Sequence, residues 1–139
     1  MCIRDRFYLV PILYGVVVFL WVAGFDIIYA LQDEAFDQKH KLNSVPSIIG
    51  QKRARFLSLA IHVIASLLLL LSTYLASTAY PTLGFLHWIG SAIFVILIFY
   101  QHLVIKRGGL EKIGLAFFTT NGLASLLFGV LFILDITWL

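Results

Sequence analysis

The chain of 139 residues is 61% hydrophobic and only 12% charged, with a mean hydropathy of +0.98, which places it far outside the range of water-soluble globular domains. Its formal charge of +3 needs no nucleic-acid partner to explain it, and a single cysteine, Cys2, excludes an intramolecular disulfide. The chain reads as an all-α integral membrane protein, and its function must lie in the few polar residues that a bilayer does not account for.

Residues 1–6, MCIRDR, put three charges directly against an apolar run and lack the pattern of a cleavable signal peptide. They are set apart as a non-native start, and no function is assigned to them. Phe7–Phe25 is an uncharged run of 19 residues, about 28 Å long at 1.5 Å per residue, and suits one span of a hydrocarbon core about 30 Å thick. Ile27, Ile28, Ala30 and Leu31 carry the helical pattern on towards Asp33, so Asp26 falls at or inside the membrane boundary. An ionisable group there costs roughly 2.5–3.5 kcal/mol at the bilayer centre and is expected to face a polar cavity between helices.

The stretch Asp26–Gly50 holds four of the seven acidic residues. On one continuous helix, Asp33 and Asp37 return to within about 20° of Asp26, so three carboxylates share a face. Like charges at that spacing repel, which implies a counter-ion. A divalent cation is the natural one, and Mg²⁺ takes one or two carboxylates together with water and substrate phosphates, so a diphosphate completes such a site.

The residues Asp26-Ile-Ile-Tyr29-Ala-Leu-Gln-Asp33-Glu-Ala-Phe-Asp37, with Lys41, Ser44 and Gly50 after them, closely resemble the second aspartate-rich motif of the UbiA-type intramembrane prenyltransferases, the 4-hydroxybenzoate polyprenyltransferase branch in particular. The run FFTTN at Phe117–Asn121 is a weaker resemblance in the last helix. The likeness implies a transmembrane helical bundle of about nine helices, with another aspartate-rich motif in a first half that this chain lacks. Residues 7–139 would then be the C-terminal part of one UbiA-like domain, with N-terminal helices of the same protein as partners and no activity alone. It further implies Mg²⁺-dependent transfer from a polyprenyl diphosphate to an aromatic acceptor such as 4-hydroxybenzoate, in quinone biosynthesis. Asp33 and Asp37 would hold the metal, Lys41 would bind the diphosphate, and Asp26 would complete the metal shell or polarise the acceptor. Tyr29 could flank the allylic cation with its ring, and Asn121 is either a substrate contact or a helix-to-helix hydrogen bond.

Gln38–Arg55 is the only long polar segment and is expected to be a loop outside the hydrocarbon. Three further spans follow at Phe56–Ala79, Leu83–Ile105 and Ile113–Leu134, separated by an uncharged turn near Pro81 and by Lys106–Lys112. The segments 38–55 and 106–112 carry eight of the ten Lys and Arg, which makes both cytoplasmic and turns the aspartates towards the cytoplasm, as in a prokaryotic inner membrane. In the last span Gly122, Ser125 and Gly129 form a small-residue stripe that predicts a packing face.

Two other functions are open at this point. His62 and His102 lie in different spans and are candidates for the axial ligands of a membrane haem, although a hydrogen-bonded core histidine is the plainer reading. A transporter or channel would use Asp26 to line an ion path. Neither accounts for Asp33, Asp37 and Lys41 together. His87, beside Trp88, reads as an interface residue, and His40 as a solvated one.

Overall fold

The computed structural model describes residues 3–108 and 113–138. Where no water is present to bond the backbone, a helix satisfies its own amides, and the long apolar runs are helical. Four helical segments are long and apolar enough to cross a bilayer, at Leu9–Ala30, Gln51–Ala79, Leu86–Arg107 and Thr119–Thr137. They belong to helices α1 (Ile3–Ala30), α4 (Gln51–Ala79), α5 (Leu86–Gly108) and α7 (Gly122–Trp138), the last span beginning just ahead of α7. Two short helices, α2 (Glu34–Lys39) and α3 (Val45–Ile49), join the first two spans, while α6 (Ile113–Leu115) and a π-helical stretch (Ala116–Asn121) lead into α7. The chain is thus an all-α transmembrane bundle.

The boundaries differ from those expected. The polar segment 38–55 is not one loop, because α3 forms within it and α4 already starts at Gln51, so Lys52, Arg53 and Arg55 ride on the first turns of a spanning helix. Local chemistry explains this. Ser44 caps α3, accepting from the Ser47 amide while Ser47 Oγ accepts from the Ser44 amide, and Pro46 sits in the first turn, where its missing N–H costs nothing. Gly50 then takes φ +80°, which a side chain resists, and lets α4 start one residue after α3 ends.

α1 packs along α4 and α5 along α7, with a lighter contact between α4 and α5. The face that α4 turns inward is made of small and polar residues: Ala54, Ser58, His62, Ala65, Leu69, Ser72, Ala76 and Ala79, at alternating steps of four and three. Such residues let backbones approach closely. Ser58 Oγ donates to the carbonyl of Gly24 at 2.5 Å, and a Cβ on Gly24 would lie 2.7 Å from His62 Cδ2 and 2.8 Å from its Nε2. Apolar contacts follow in three layers: Ile27, Ile28, Leu31 and Ile105 at the end that carries α2 and α3; Val17, Leu69, Phe94 and Ile98 in the middle; Val10 and Ala76 at the far end. Large apolar side chains such as Phe19, Phe56 and Leu126 point outward, as lipid contact requires.

Two expectations about packing change. Gly122 and Ser125 of the small-residue stripe are exposed, and no side chain or other backbone lies within 4 Å of a Cβ built at Gly122 or Gly129. Ala124, between them, is the buried residue of that turn. His87 is not an interface residue. It is fully buried, and its Nδ1 donates to Asp135 Oδ2 at 2.5 Å, while the same carboxylate accepts from the amides of Leu86 and His87 at 3.2 and 3.1 Å. Asp135 on α7 therefore caps the N-terminus of α5 across the bundle, where orphan N–H groups and the helix dipole both favour an anion.

The close seam makes a direct prediction. Gly24→Ala should lower stability by roughly 1–3 kcal/mol, because its Cβ overlaps the His62 ring and the core must give way. Gly15→Ala, whose Cβ meets nothing within 4 Å, should unfold in detergent like the parent. Equal melting of the two variants would show that the α1–α4 contact is looser than described.

Candidate functional site

Asp26, Asp33 and Asp37 do not share one continuous helix. α1 ends at Ala30, where the amides of Leu31 and Gln32 reach back only three residues, to Ile28 O at 3.2 Å and Tyr29 O at 3.0 Å. Asp33 then takes φ −97° and ψ 3° as the residue before α2, and its side chain makes no capping bond. Leu31 is 1% exposed in the apolar cluster at this end, one turn on from Ile27 and Ile28, and beyond the break α3, with buried Pro46 and half-buried Ile49, packs against α1 and α4.

Asp33 and Asp37 keep their one-turn spacing, with the Asp37 amide donating to Asp33 O at 2.8 Å. Asp33 is exposed and Asp37 half-buried. Asp26 is exposed on α1, the element before α2. Among the described residues no group of three or more His, Cys, Asp or Glu is gathered closely enough to hold a metal ion. The geometry supplies a pair of carboxylates where a trio was expected. That pair suits Mg²⁺ well, since it offers hard oxygen donors only and leaves most of the coordination sphere to water and phosphate.

Lys41 is the one non-glycine residue with positive φ among the described residues, at +54°. Its amide bonds to Gln38 O at 3.3 Å and the Leu42 amide to Asp37 O at 2.8 Å, the double bond pattern that ends a helix in a Schellman motif. Glycine or asparagine usually takes that left-handed position, because a Cβ there costs about 1–2 kcal/mol. Glu34, passed over in the sequence, is the buried carboxylate of the segment at 8% exposure, and accepts from Gln38 Nε2 at 3.2 Å.

Asp26 opens into a cleft of 260 Å³ lined also by Trp21, Val22, Phe25 and Asn121. Asn121 closes the π-helical stretch, and π turns commonly serve functional positions because the extra residue re-aims a side chain. Its Oδ1 is buried and accepts no hydrogen bond among the described residues, so the oxygen does not serve the helix-to-helix role expected of an intramembrane asparagine. Trp21 Nε1 is likewise buried and unpartnered. The cleft thus offers one free acceptor, one free donor and a carboxylate on apolar walls. Trp21 carried no sign of this in the sequence, since a tryptophan in an apolar run reads as packing. Tyr29 lies one turn beyond Asp26 and is 44% exposed.

A search against family profiles matches the UbiA prenyltransferase family over residues 3–134. The chain belongs to the UbiA prenyltransferase family. The searches of curated proteins and of solved structures gave no significant match. The UbiA match takes in residues 3–6, at the start of α1, as well as both aspartate positions and the Asn121 turn. It makes the chain a membrane prenyltransferase in general terms.

The histidine pair of this UbiA chain serves packing. His62 Nε2 lies 3.1 Å from the Trp21 carbonyl and His62 Nδ1 lies 2.7 Å from His102 Nε2. A carbonyl only accepts, so His62 donates from Nε2; its Nδ1 in the uncharged ring then accepts, and His102 donates from Nε2. A metal at about 2 Å from each of two imidazoles would hold the nitrogens about 4 Å apart, which this direct bond forbids. A double-mutant cycle on His62→Ala and His102→Ala should therefore give a coupling of about 0.5–3 kcal/mol in unfolding. Titration with haem should give no bis-imidazole Soret band, and such a band would restore the electron-carrier reading.

Proposed function

We propose that the chain takes part in transferring a polyprenyl group from its diphosphate to an aromatic acceptor of the 4-hydroxybenzoate kind, in quinone biosynthesis and with Mg²⁺ as cofactor. The observation that carries this reading is the pairing of Asp33 and Asp37 one turn apart, four residues before a left-handed Lys41, in a chain that matches the family over residues 3–134. Mg²⁺, when bound, supplies charge neutralisation for a departing diphosphate.

Asp33 and Asp37 hold that charge at the membrane boundary, and Lys41 adds a donor to the phosphate oxygens. The allylic C–O bond breaks, the diphosphate keeps the electron pair, and the carbocation left behind is attacked by the electron-rich ring, which then loses the proton of the substituted carbon. Asp26 shares its cleft with Trp21 and Asn121, not with α2, which favours its acceptor role over a place in the metal shell. There Asn121 Oδ1 accepts from the acceptor's hydroxyl, Trp21 Nε1 donates to its carboxylate, and Asp26 draws the developing positive charge from the ring. The apolar walls keep water from capturing the cation. The eight-to-two division of Lys and Arg supports a cytoplasmic setting for this end of the bundle, at a prokaryotic inner membrane.

Asp33→Asn and Asp37→Asn should each lower Mg²⁺-dependent transfer from labelled prenyl diphosphate by ~100-fold or more in membranes, with insertion unchanged. Lys41→Gly separates backbone from charge: it relieves the left-handed strain, so melting should hold or rise, while transfer should fall by about tenfold. Transfer within a factor of a few of the parent in both aspartate variants would remove the pair from the site.

Orientation is checked separately. With Cys2 replaced, cysteines at Leu42 and Arg107 should react with an impermeant reagent only from the cytoplasmic face, and one at Thr82 only from the other; all three positions are exposed. Labelling of Leu42 from outside would place the aspartates away from a cytoplasmic donor.

A further inference from the structure

A second groove of 540 Å³ opens between α4 and α5, at the same end of the bundle as α2 and α3 but with none of Asp26, Tyr29, Asp33, Asp37, Lys41 or Asn121 in its walls. Its chemistry changes along its length in the same way on both helices. On α4, Lys52 and Arg55 come first and Phe56 and Leu59 follow; on α5, Phe99 and Leu103 lead out to Lys106. Seven residues separate Lys52 from Leu59 and Lys106 from Phe99, about 10 Å of helix in each case. The groove therefore runs from three cations at the membrane boundary to aromatic and aliphatic walls one acyl-chain segment deeper. Among the described residues no carboxylate lines it.

Two further observations point to an anionic amphiphile in this place. Arg55 Nε is buried and makes no hydrogen bond among the described residues, so a charged donor lies in the groove without an acceptor, an arrangement that costs free energy until an anion meets it. The mouth faces lipid: Phe56 is 73% exposed and Leu103 51%.

We propose that this groove is a binding site for an anionic phospholipid of the surrounding leaflet, with the headgroup phosphate on Lys52, Arg55 and Lys106 and an acyl chain along Phe56, Leu59, Phe99 and Leu103. The volume lies within the range of built ligand sites, and basic pockets between spanning helices are where acidic headgroups settle. Its three described cations set it apart from the aspartate pair: a headgroup phosphate bound on them needs no bridging metal. A zwitterionic lipid would leave the three cations only partly matched. The proposal stands independently of the prenyl acceptor and of Mg²⁺.

The test measures phosphatidylglycerol binding to the detergent-purified protein, by native mass spectrometry and by thermal shift, in the presence of EDTA. Phosphatidylglycerol should bind and raise the melting temperature, whereas phosphatidylcholine and inorganic phosphate at equal concentration should not. Replacing Lys52, Arg55 and Lys106 together by Gln should weaken phosphatidylglycerol roughly a hundredfold, since each cation near an anionic surface contributes about fivefold. The pair Lys52→Gln and Lys106→Gln, both exposed, keeps Arg55 in place should its loss disturb folding, and should weaken binding about twenty-five-fold. Lys39→Gln with Arg53→Gln, exposed cations outside the groove, should leave the affinity within about twofold. The proposal is overturned if phosphatidylcholine binds equally well or if the outside pair weakens binding as much as the groove pair. It is also overturned if farnesyl diphosphate with EDTA displaces the lipid at equal concentration, which would make the groove a donor site.

Discussion

Three helices meet at the imidazole of His62. From α4 it donates to the Trp21 carbonyl of α1 and accepts from His102 of α5, while the ring itself fills the space left by the missing side chain of Gly24. In a bilayer, apolar surface gains nothing by moving from lipid to protein, so close approach and interhelical hydrogen bonds hold the bundle together. The serines and alanines on the inner face of α4 serve the same end. Ser58 reaches the Gly24 carbonyl, and Thr73 shares a 2.7 Å hydrogen bond with Ser91 of α5. Such bonds are each of modest size. Their geometry nonetheless sets the distance and rotation of α1 against α4, and with it where Asp26 opens.

The basic end of the bundle carries three chemically distinct places. The carboxylate pair on α2 is open to water and bordered by Lys41. The Asp26 cleft holds an unpartnered donor and an unpartnered acceptor on apolar walls. The groove of Lys52, Arg55 and Lys106 has cations and, among the described residues, no acid. The helix break between Ala30 and Glu34 separates the carboxylate pair from the Asp26 cleft.

Much of the site was legible residue by residue. Asp33, Asp37 and Lys41 stand out because charge in such an apolar chain has few bland explanations, and the i, i+4 spacing of the two aspartates survives as one turn of α2. The placement of Asp26 on the same face was not legible, since projecting a single helix over eleven residues assumes that nothing interrupts it. The interruption falls where α3 returns to pack on α1 and α4, contacts that no local pattern displays. Trp21, Glu34 and Asp135 were hidden for a similar reason. Each has a plain local reading, and only its surroundings show a free indole N–H, a buried carboxylate or a cap on another helix.

What the sequence by itself determined is the solvent and the class. Four apolar runs of spanning length, with cations confined to two connections, leave a helical membrane bundle as the only way to satisfy the backbone, and the aspartate motif points to the family. Periodicity cannot state which helix faces which, because lipid-facing and helix-facing surfaces are both apolar and a hydrophobic pattern does not tell them apart. The stripe of Gly122, Ser125 and Gly129 looked like a seam and lies exposed, while the true seam follows Ala54, Ser58, His62 and Ala65. Tertiary structure alone decided that seam, since it rests on Gly24 being small where His62 is large, a complementarity between two helices that neither carries by itself.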